Sequence, residues 1–186
     1  VNDCCVRTTT INYLGIARFM ALKRTSEPFI ISTSVSESAA NTFTEQQVSV
    51  NLNPLDQEVL LVLAADIDAF APDVVTATNT AQTLSISTTS RTTVGGINDS
   101  NVVASQRIDV KSDGVNHVVF DRLLAAGPSS DMIDYISILA TNNFFLQTQG
   151  VNNAGAKGGN ARLWVVRAKA DSATYAALVN SELLSE

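Results

Sequence analysis

The sequence predicts an all-β protein, an antiparallel β-sandwich or single jelly roll of about eight strands with a short helix near each end. Three observations predict this class. From Phe43 onward, polar and apolar residues mostly alternate with the period of two that strands require. Turn-forming residues interrupt the alternation at short, regular intervals. Helical spacing of apolar residues occurs only near the two ends of the chain.

The alternating segments predict strands with one face on a core and the other toward water. A different pattern, seven consecutive apolar residues over 59–65, predicts a strand that is buried on both faces and therefore lies centrally in its sheet. The alternating segments cover residues 29–35, 47–52, 83–87, 102–110, 144–147 and 161–170, with a further strand over 117–122.

Turn chemistry supports these strands. Asp113 and Gly114 separate the segments 102–110 and 117–122, and an Asp-Gly pair supplies the positive φ angles of a tight hairpin. The Gly- and Asn-rich stretch 150–160 predicts an exposed, mobile hairpin loop.

The two end segments break the strand period. Residues 11–24 place Ile16, Phe19 and Met20 at helical spacing. Residues 173–184 form a second helical stripe, for which Asp171 or Ser172 is the candidate N-cap. The predicted organisation is an N-terminal arm or helix over 1–27, a β-sandwich over 28–170 and a C-terminal helix over 171–186.

Composition indicates surface that is hidden between subunits. Only 16% of the residues are charged, against about 25% in typical domains. No apolar run approaches the roughly 18 residues that cross a bilayer. Subunit contacts are depleted in charge, so the composition favours self-association.

Charge is distributed unevenly along the chain. Residues 1–27 contain four basic and two acidic residues, a charge of +2, which leaves −8 for the rest of a chain of net charge −6. Clustered cations bind polyanions, so the segment is a candidate genome-facing arm. The alternative is an ordinary helix with a solvated polar face. The basic residues are Arg7, Arg18, Lys23 and Arg24.

Catalytic chemistry has little support in the sequence. His117 is the only histidine, and its place at a strand start is typical of a surface residue. Cys4 and Cys5 are adjacent, which excludes a disulfide framework within one chain. Nucleophile-elbow, zinc-protease and phosphate-loop motifs do not occur. The sequence therefore predicts a protein that is not an enzyme and binds no cofactor.

One group of carboxylates is a candidate metal site. Asp66 and Asp68 lie two residues apart at the end of the apolar strand, and Asp73 follows the Pro72 turn. Calcium takes several oxygen ligands of this kind. The alternative is that they are solvated strand ends or backbone acceptors.

The basic N-terminal arm, the short strands with Pro- and Gly-rich connections, the Ser-, Thr- and Asn-rich outer faces and the C-terminal helix together resemble a viral jelly-roll capsid protein. The resemblance covers the plan of the whole chain. It implies a virion protein that self-assembles into an icosahedral shell, with other virion proteins and packaged nucleic acid as further partners. The loop 150–160 would then lie outside or at symmetry axes, and the arm inside.

Two other classes remain open. A virion decoration or cement protein, or a surface-layer subunit, would share this composition but assemble only on an existing shell. A secreted carbohydrate-binding sandwich would display an aromatic platform, for which Trp164 is the one candidate; packing of Trp164 in the core is the other interpretation.

Overall fold

The computed structural model describes residues 22–96, 98–124 and 134–184. Within these residues the chain forms ten β-strands, a single 3-10 turn (Pro54–Asp56) and one α-helix. The strands are β1 (Leu22–Arg24), β2 (Phe29–Ser36), β3 (Thr44–Ser49), β4 (Glu58–Ala69), β5 (Thr80–Ser87), β6 (Val102–Ser112), β7 (His117–Leu124), β8 (Ser137–Leu139), β9 (Asn143–Val151) and β10 (Gly158–Ala170), and the helix is α1 (Ser172–Leu184).

The strands pair in the nested order of a jelly roll. β2 pairs with β10, β3 with β9, β4 with β8 and β5 with β6, all antiparallel, as in a long hairpin rolled into two sheets. The first sheet is ordered β2-β10-β4-β8, with β1 beside the end of β10. The second sheet is ordered β3-β9-β5-β6-β7. The predicted fold class is thus confirmed.

The main core lies between the two sheets. The first sheet contributes Leu60, Val62 and Leu163, and the second contributes Leu84 and Phe144. These five side chains are almost completely buried. Burial of apolar area at about 25 cal/mol per Å² is the main term that stabilises this packing.

The strand over residues 59–65 is buried on both faces, as predicted. Leu60 and Val62 face the other sheet, whereas Val59 and Leu61 pack beneath α1 on the outer face. The pairing of β4 with β10 skips Leu63, so β4 contains a bulge at this residue. Because a bulge shifts the alternation by one residue, the inward side chains continue beyond it at odd positions.

Helix α1 begins as predicted. Asp171 is the N-cap, since the backbone N–H of Thr174 donates to its Oδ1 at 2.8 Å. Hydrogen bonds from Thr174 hold the pKa of Asp171 below its usual value. Tyr175, Leu178 and Val179 then pack on the outer face of the first sheet.

The predicted N-terminal helix is wrong where the structure tests it. Leu22–Arg24 form a strand that pairs with Ala168–Ala170 of β10, while the rest of the predicted helix lies outside the described residues. The sequence prediction also missed β8, although Ile136 and Ile138 alternate around Ser137. These two three-residue strands account for the difference between the expected number of strands and the ten that are observed.

The expected solvated face of β5 is also wrong. Ser85 and Ser87 are fully buried on the outer face of the second sheet. They lie beneath the connection between β5 and β6, whose described parts are residues 88–96 and 98–101 and which we call the covering loop. The N–H of Gly95 donates to Ser85 Oγ at 3.2 Å, and Ser87 Oγ donates to the carbonyl of Thr89 at 2.6 Å.

The prediction of an exposed hairpin loop over 150–160 is confirmed in its exposure, since residues 154–156 are exposed, but the hairpin is wrong. β9 extends to Val151 and β10 starts at Gly158, in different sheets, so the connection crosses between sheets instead of closing a hairpin. Its backbone is held by buried acceptors. The N–H of Lys157 donates to Glu37 Oε2 at 2.9 Å. The buried side chain of Asn153 also fixes the connection, because its Nδ2 donates to the carbonyl of Ala81 at 3.0 Å.

Candidate functional site: the edge strand β7

The predicted hairpin is confirmed as the β6–β7 turn. Asp113 Oδ1 accepts hydrogen bonds from the N–H groups of Val115 (2.9 Å) and Asn116 (2.6 Å). These bonds lower the pKa of Asp113 to about 2, and the bond from Asn116 contributes most. Gly114 takes a φ of +97°, which favours glycine. The turn therefore sets the register in which β7 lies along β6.

β7 lies at one edge of the second sheet, and β6 is its only strand partner within the described residues. Its apolar side chains face water: Val118 is 50% exposed, Val119 61% and Phe120 52%. Val115, in the turn before the strand, is 85% exposed. Three consecutive large apolar side chains of β7 are therefore exposed, Val118 and Phe120 on one face of the strand and Val119 on the other. Exposed apolar surface of this kind marks an interaction site.

The backbone of β7 has hydrogen-bonding groups on the edge that faces away from β6, which we call the free edge. Asp113 N–H bonds to the carbonyl of Asn116, while Ser112 N–H bonds to Asn79 and not to His117. Ser112 and His117 are therefore a non-hydrogen-bonded pair of the β6–β7 ladder. Because bonded and non-bonded pairs alternate in an antiparallel ladder, the N–H and C=O groups of His117, Val119 and Asp121 point away from β6, to the free edge.

Ion pairs and hydrogen bonds hold charged side chains of β6 and β7 in place. Asp109 Oδ2 accepts from Arg122 at 2.5 Å and from Arg107 Nε at 3.2 Å. Burial raises the pKa of Asp109, but the hydrogen bonds and positive charges of the two arginines outweigh burial and leave the pKa below its usual value. On the other face, Asp121 accepts from Gln106 Nε2 at 3.1 Å. An open depression of about 510 Å³ lies beside these residues.

His117, the only histidine, is exposed at the first position of β7. This placement agrees with the surface role expected from the sequence. In the described residues, no three His, Cys, Asp or Glu side chains are grouped as a metal site would require.

The three candidate metal ligands do not converge. Asp66 and Asp68 are exposed on the outer face of the first sheet, along an open groove of about 650 Å³. Asp73 instead forms an ion pair with Lys157 at 2.5 Å. The hydrogen bond from Lys157 is the main cause of the lowered pKa of Asp73. Asp73 also accepts from the N–H of Ala154 at 3.0 Å, so it is a backbone acceptor, the alternative that the sequence left open.

The candidate genome-facing residues are only partly described. Lys23 and Arg24 are exposed on β1. Arg7 and Arg18 lie outside the described residues. Among the described residues, no helix is long and apolar enough to span a membrane.

Trp164 lies on the outer face of the first sheet. Its neighbours Leu163 and Val165 point into the core, and Trp164 is partly exposed beside Arg162, whose guanidinium carbon lies 5.8 Å from the centre of the indole ring. Packing in the core between the sheets is therefore not the role of this side chain.

Sequence reasoning recognised the hairpin but missed the exposed edge. A signal was present, because Val118, Val119 and Phe120 are three consecutive apolar residues, a pattern that differs from the alternating strands of the chain. In the sequence, such a run is compatible with a strand that is buried on both faces. The structure shows instead that β7 lies at an edge and that the described residues cover neither of its faces.

Comparison with known proteins finds similarity in structure only. No protein-family model matches the chain, and no curated protein sequence matches it. The unassembled VP1 pentamer of KI polyomavirus matches with a TM-score of 0.41 and 8% identity, over 78% of this chain and 95% of that one. Desmodium yellow mottle tymovirus matches with a TM-score of 0.27 and 11% identity, over 78% and 90%. Solved structures of viral capsid proteins are thus among those that this chain resembles.

Proposed function

We propose that this protein is a capsid subunit of a virus particle, which assembles a shell from copies of itself and self-associates through the free edge of β7. The exposed apolar patch on this edge is the observation that carries the proposal. Self-association would remove Val118, Val119 and Phe120 from water, and it would satisfy backbone groups that have no partner strand in the described residues.

The opposite edge of the same sheet supports this interpretation. β3 carries Glu45, Gln46 and Gln47, and its apolar residue, Val48, packs against the core. Polar and charged side chains are a usual protection of sheet edges against association. β7 instead exposes the apolar residues Val118, Val119 and Phe120. The polar edge at β3 is therefore suited to contact with water, and the apolar edge at β7 is suited to contact with another copy.

The jelly-roll architecture and the low charge content fit a role in which many copies form a closed shell. Other virion proteins and packaged nucleic acid are further partners in this proposal. Lys23 and Arg24 support contact with nucleic acid only as exposed cations, because the remainder of the basic arm lies outside the described residues.

The experiment compares assembly of the full chain with that of two variants. Size-exclusion chromatography with light scattering and negative-stain microscopy would measure assembly of the wild type, of V119K/F120K and of V115K. We expect oligomers or shells for the wild type, loss of assembly for V119K/F120K, and retention for V115K, because Val115 is exposed but lies in the turn outside β7.

Three outcomes would overturn the proposal. A wild-type chain that stays monomeric at about 100 µM would exclude self-association of useful affinity. A defined soluble oligomer that assembles only on an existing shell would favour a decoration protein. A monomer that binds glycans would favour the carbohydrate-binding class. Circular dichroism of both variants would show whether a loss of assembly reflects loss of fold.

A further inference from the structure

We propose that β7 pairs antiparallel with β7 of a second copy, about a two-fold axis that passes Val119. The two five-stranded sheets then become one continuous sheet across the contact. This inference rests on the proposed function, because it takes the free edge as the site of self-association, and it specifies the partner and the register.

The backbone of β7 allows this pairing. The N–H and C=O groups of His117, Val119 and Asp121 point to the free edge, as the hydrogen bonds of the β6–β7 turn require. In a symmetric antiparallel pair these odd-numbered residues bond to one another. The even-numbered residues, Val118 and Phe120, then form the non-hydrogen-bonded pairs, in which side chains approach most closely.

The side chains select the register. With Val119 opposite Val119 of the other copy, Val118 lies opposite Phe120, and His117 lies opposite Asp121. Each of the last two pairs occurs twice because of the two-fold symmetry. Pairs of an aromatic with a β-branched side chain stabilise sheets, and a carboxylate accepts a hydrogen bond from an imidazole N–H.

Neighbouring registers are less complementary. Centring the axis on Phe120 places Val119 opposite Asp121 and Val118 opposite Arg122, so apolar side chains face charged ones. Centring it on Asp121 or Arg122 places like charges opposite each other, which is destabilising. Centring it on Val118 leaves Asp121 opposite Val115, beyond the end of the strand.

A second copy is the occupant that the residues favour, because the patch is complementary to itself. Both members of each pair, Val118 with Phe120 and His117 with Asp121, come from the same strand. An isologous contact requires this self-complementarity, whereas a foreign strand would have to carry it independently.

Interchain disulfides test the register directly. In a C4S/C5S background, V118C/F120C places cysteines opposite each other in two pairs, at a separation typical of non-hydrogen-bonded neighbours and close to that of a disulfide. We expect a covalent dimer in non-reducing electrophoresis, about tenfold more abundant than for V118C or F120C alone.

The single variants are the controls for neighbouring registers. Efficient crosslinking of F120C alone would indicate an axis at Phe120, and of V118C alone an axis at Val118; either result would overturn the proposed register. Oligomers without any crosslinking in the double variant would overturn the pairing and leave the proposed function standing. The absence of wild-type oligomers would instead contradict the proposed function itself.

A charge exchange gives a second readout that does not depend on cysteine chemistry. H117D places a carboxylate opposite Asp121 of the other copy and is expected to raise the dissociation constant of the dimer about tenfold. H117D/D121H restores opposite partners and is expected to recover most of this loss. Equal weakening in both variants would contradict the pairing of positions 117 and 121.

Discussion

The centre and the edge of the second sheet invert the usual distribution of polarity. On the outer face of β5 and β9, the polar residues Ser85, Ser87 and Gln147 are fully buried. On β7, Val119 and Phe120 are more than half exposed. The difference between the two regions is what covers them: the covering loop lies over the central strands, whereas no described residue covers the edge strand.

The buried polar residues at the centre are stable because their hydrogen bonds are made. Ser85 Oγ donates to Gln147 Oε1 at 3.0 Å, while Gln147 Nε2 donates to Ser87 Oγ at 2.7 Å and to Glu45 Oε2 at 2.9 Å. A buried polar group with partners costs little, and one without partners costs several kcal/mol at most. At the edge, by contrast, the apolar side chains of β7 are exposed to water, and one side of its backbone has no partner strand among the described residues.

Two phenylalanine substitutions give the largest expected contrast. Phe144→Ala removes a fully buried core side chain and should lower the free energy of unfolding by about 3–5 kcal/mol. Phe120→Ala removes a half-exposed edge side chain and should lower it by less than about 1 kcal/mol. Urea denaturation at a concentration where the chain is monomeric measures both. Similar losses for the two variants would show that the edge is already covered within one copy.

Gln147→Leu should have the next largest effect. Leucine keeps much of the volume but leaves Ser85, Ser87 and Glu45 without this partner, at an expected cost of about 2–3 kcal/mol. Gln149→Leu is the matched control, because Gln149 lies two residues further along the same face and is partly exposed; it should cost less than about 0.5 kcal/mol. Equal costs in thermal denaturation would argue against the hydrogen-bond network.

The ion pairs of Asp109 predict a smaller, pH-dependent contribution. Its folded-state pKa is lowered, so its contribution is present above the unfolded value of 3.8 and is lost as the pH falls through the folded-state pKa. Asp109→Asn should cost about 1 kcal/mol near pH 6, because both arginines are partly solvated. The wild type and the variant should converge in unfolding free energy as the pH falls through the folded-state pKa of Asp109. A constant difference across this range would contradict the prediction.

The Asp113 turn is expected to give the smallest effect. Because the pKa of Asp113 is about 2 in the folded state, its contribution to the free energy of unfolding is lost between about pH 4 and pH 2, as the carboxylate is protonated. NMR titration of the side chain would measure the pKa, and an unshifted value would contradict the turn geometry. Asp113→Asn should remove the pH dependence while keeping an acceptor for Val115 and Asn116.

Much of the architecture could be predicted because it depends on local patterns. The strand over residues 102–110, the Asp113 turn and the helix after Asp171 each follow from properties of a few neighbouring residues, and each is confirmed. The expected solvated face of this strand is wrong, because Ser105 and Asp109 are buried. The predicted helix ending at Arg24 failed because its last residues pair with Ala168–Ala170, far away in the sequence. A three-residue strand exists only through such a partner, so local propensity does not reveal it.

The candidate site was the least predictable part, for a related reason. The sequence by itself determined a jelly-roll plan, a hairpin at Asp113 and three consecutive apolar residues after His117. Only the tertiary structure decided that β7 lies at an edge and that a loop covers Ser85 and Ser87 while none of the described residues covers Phe120. Alternation reports which residues share a face of a strand, but whether that face is buried depends on which distant segments pack over it.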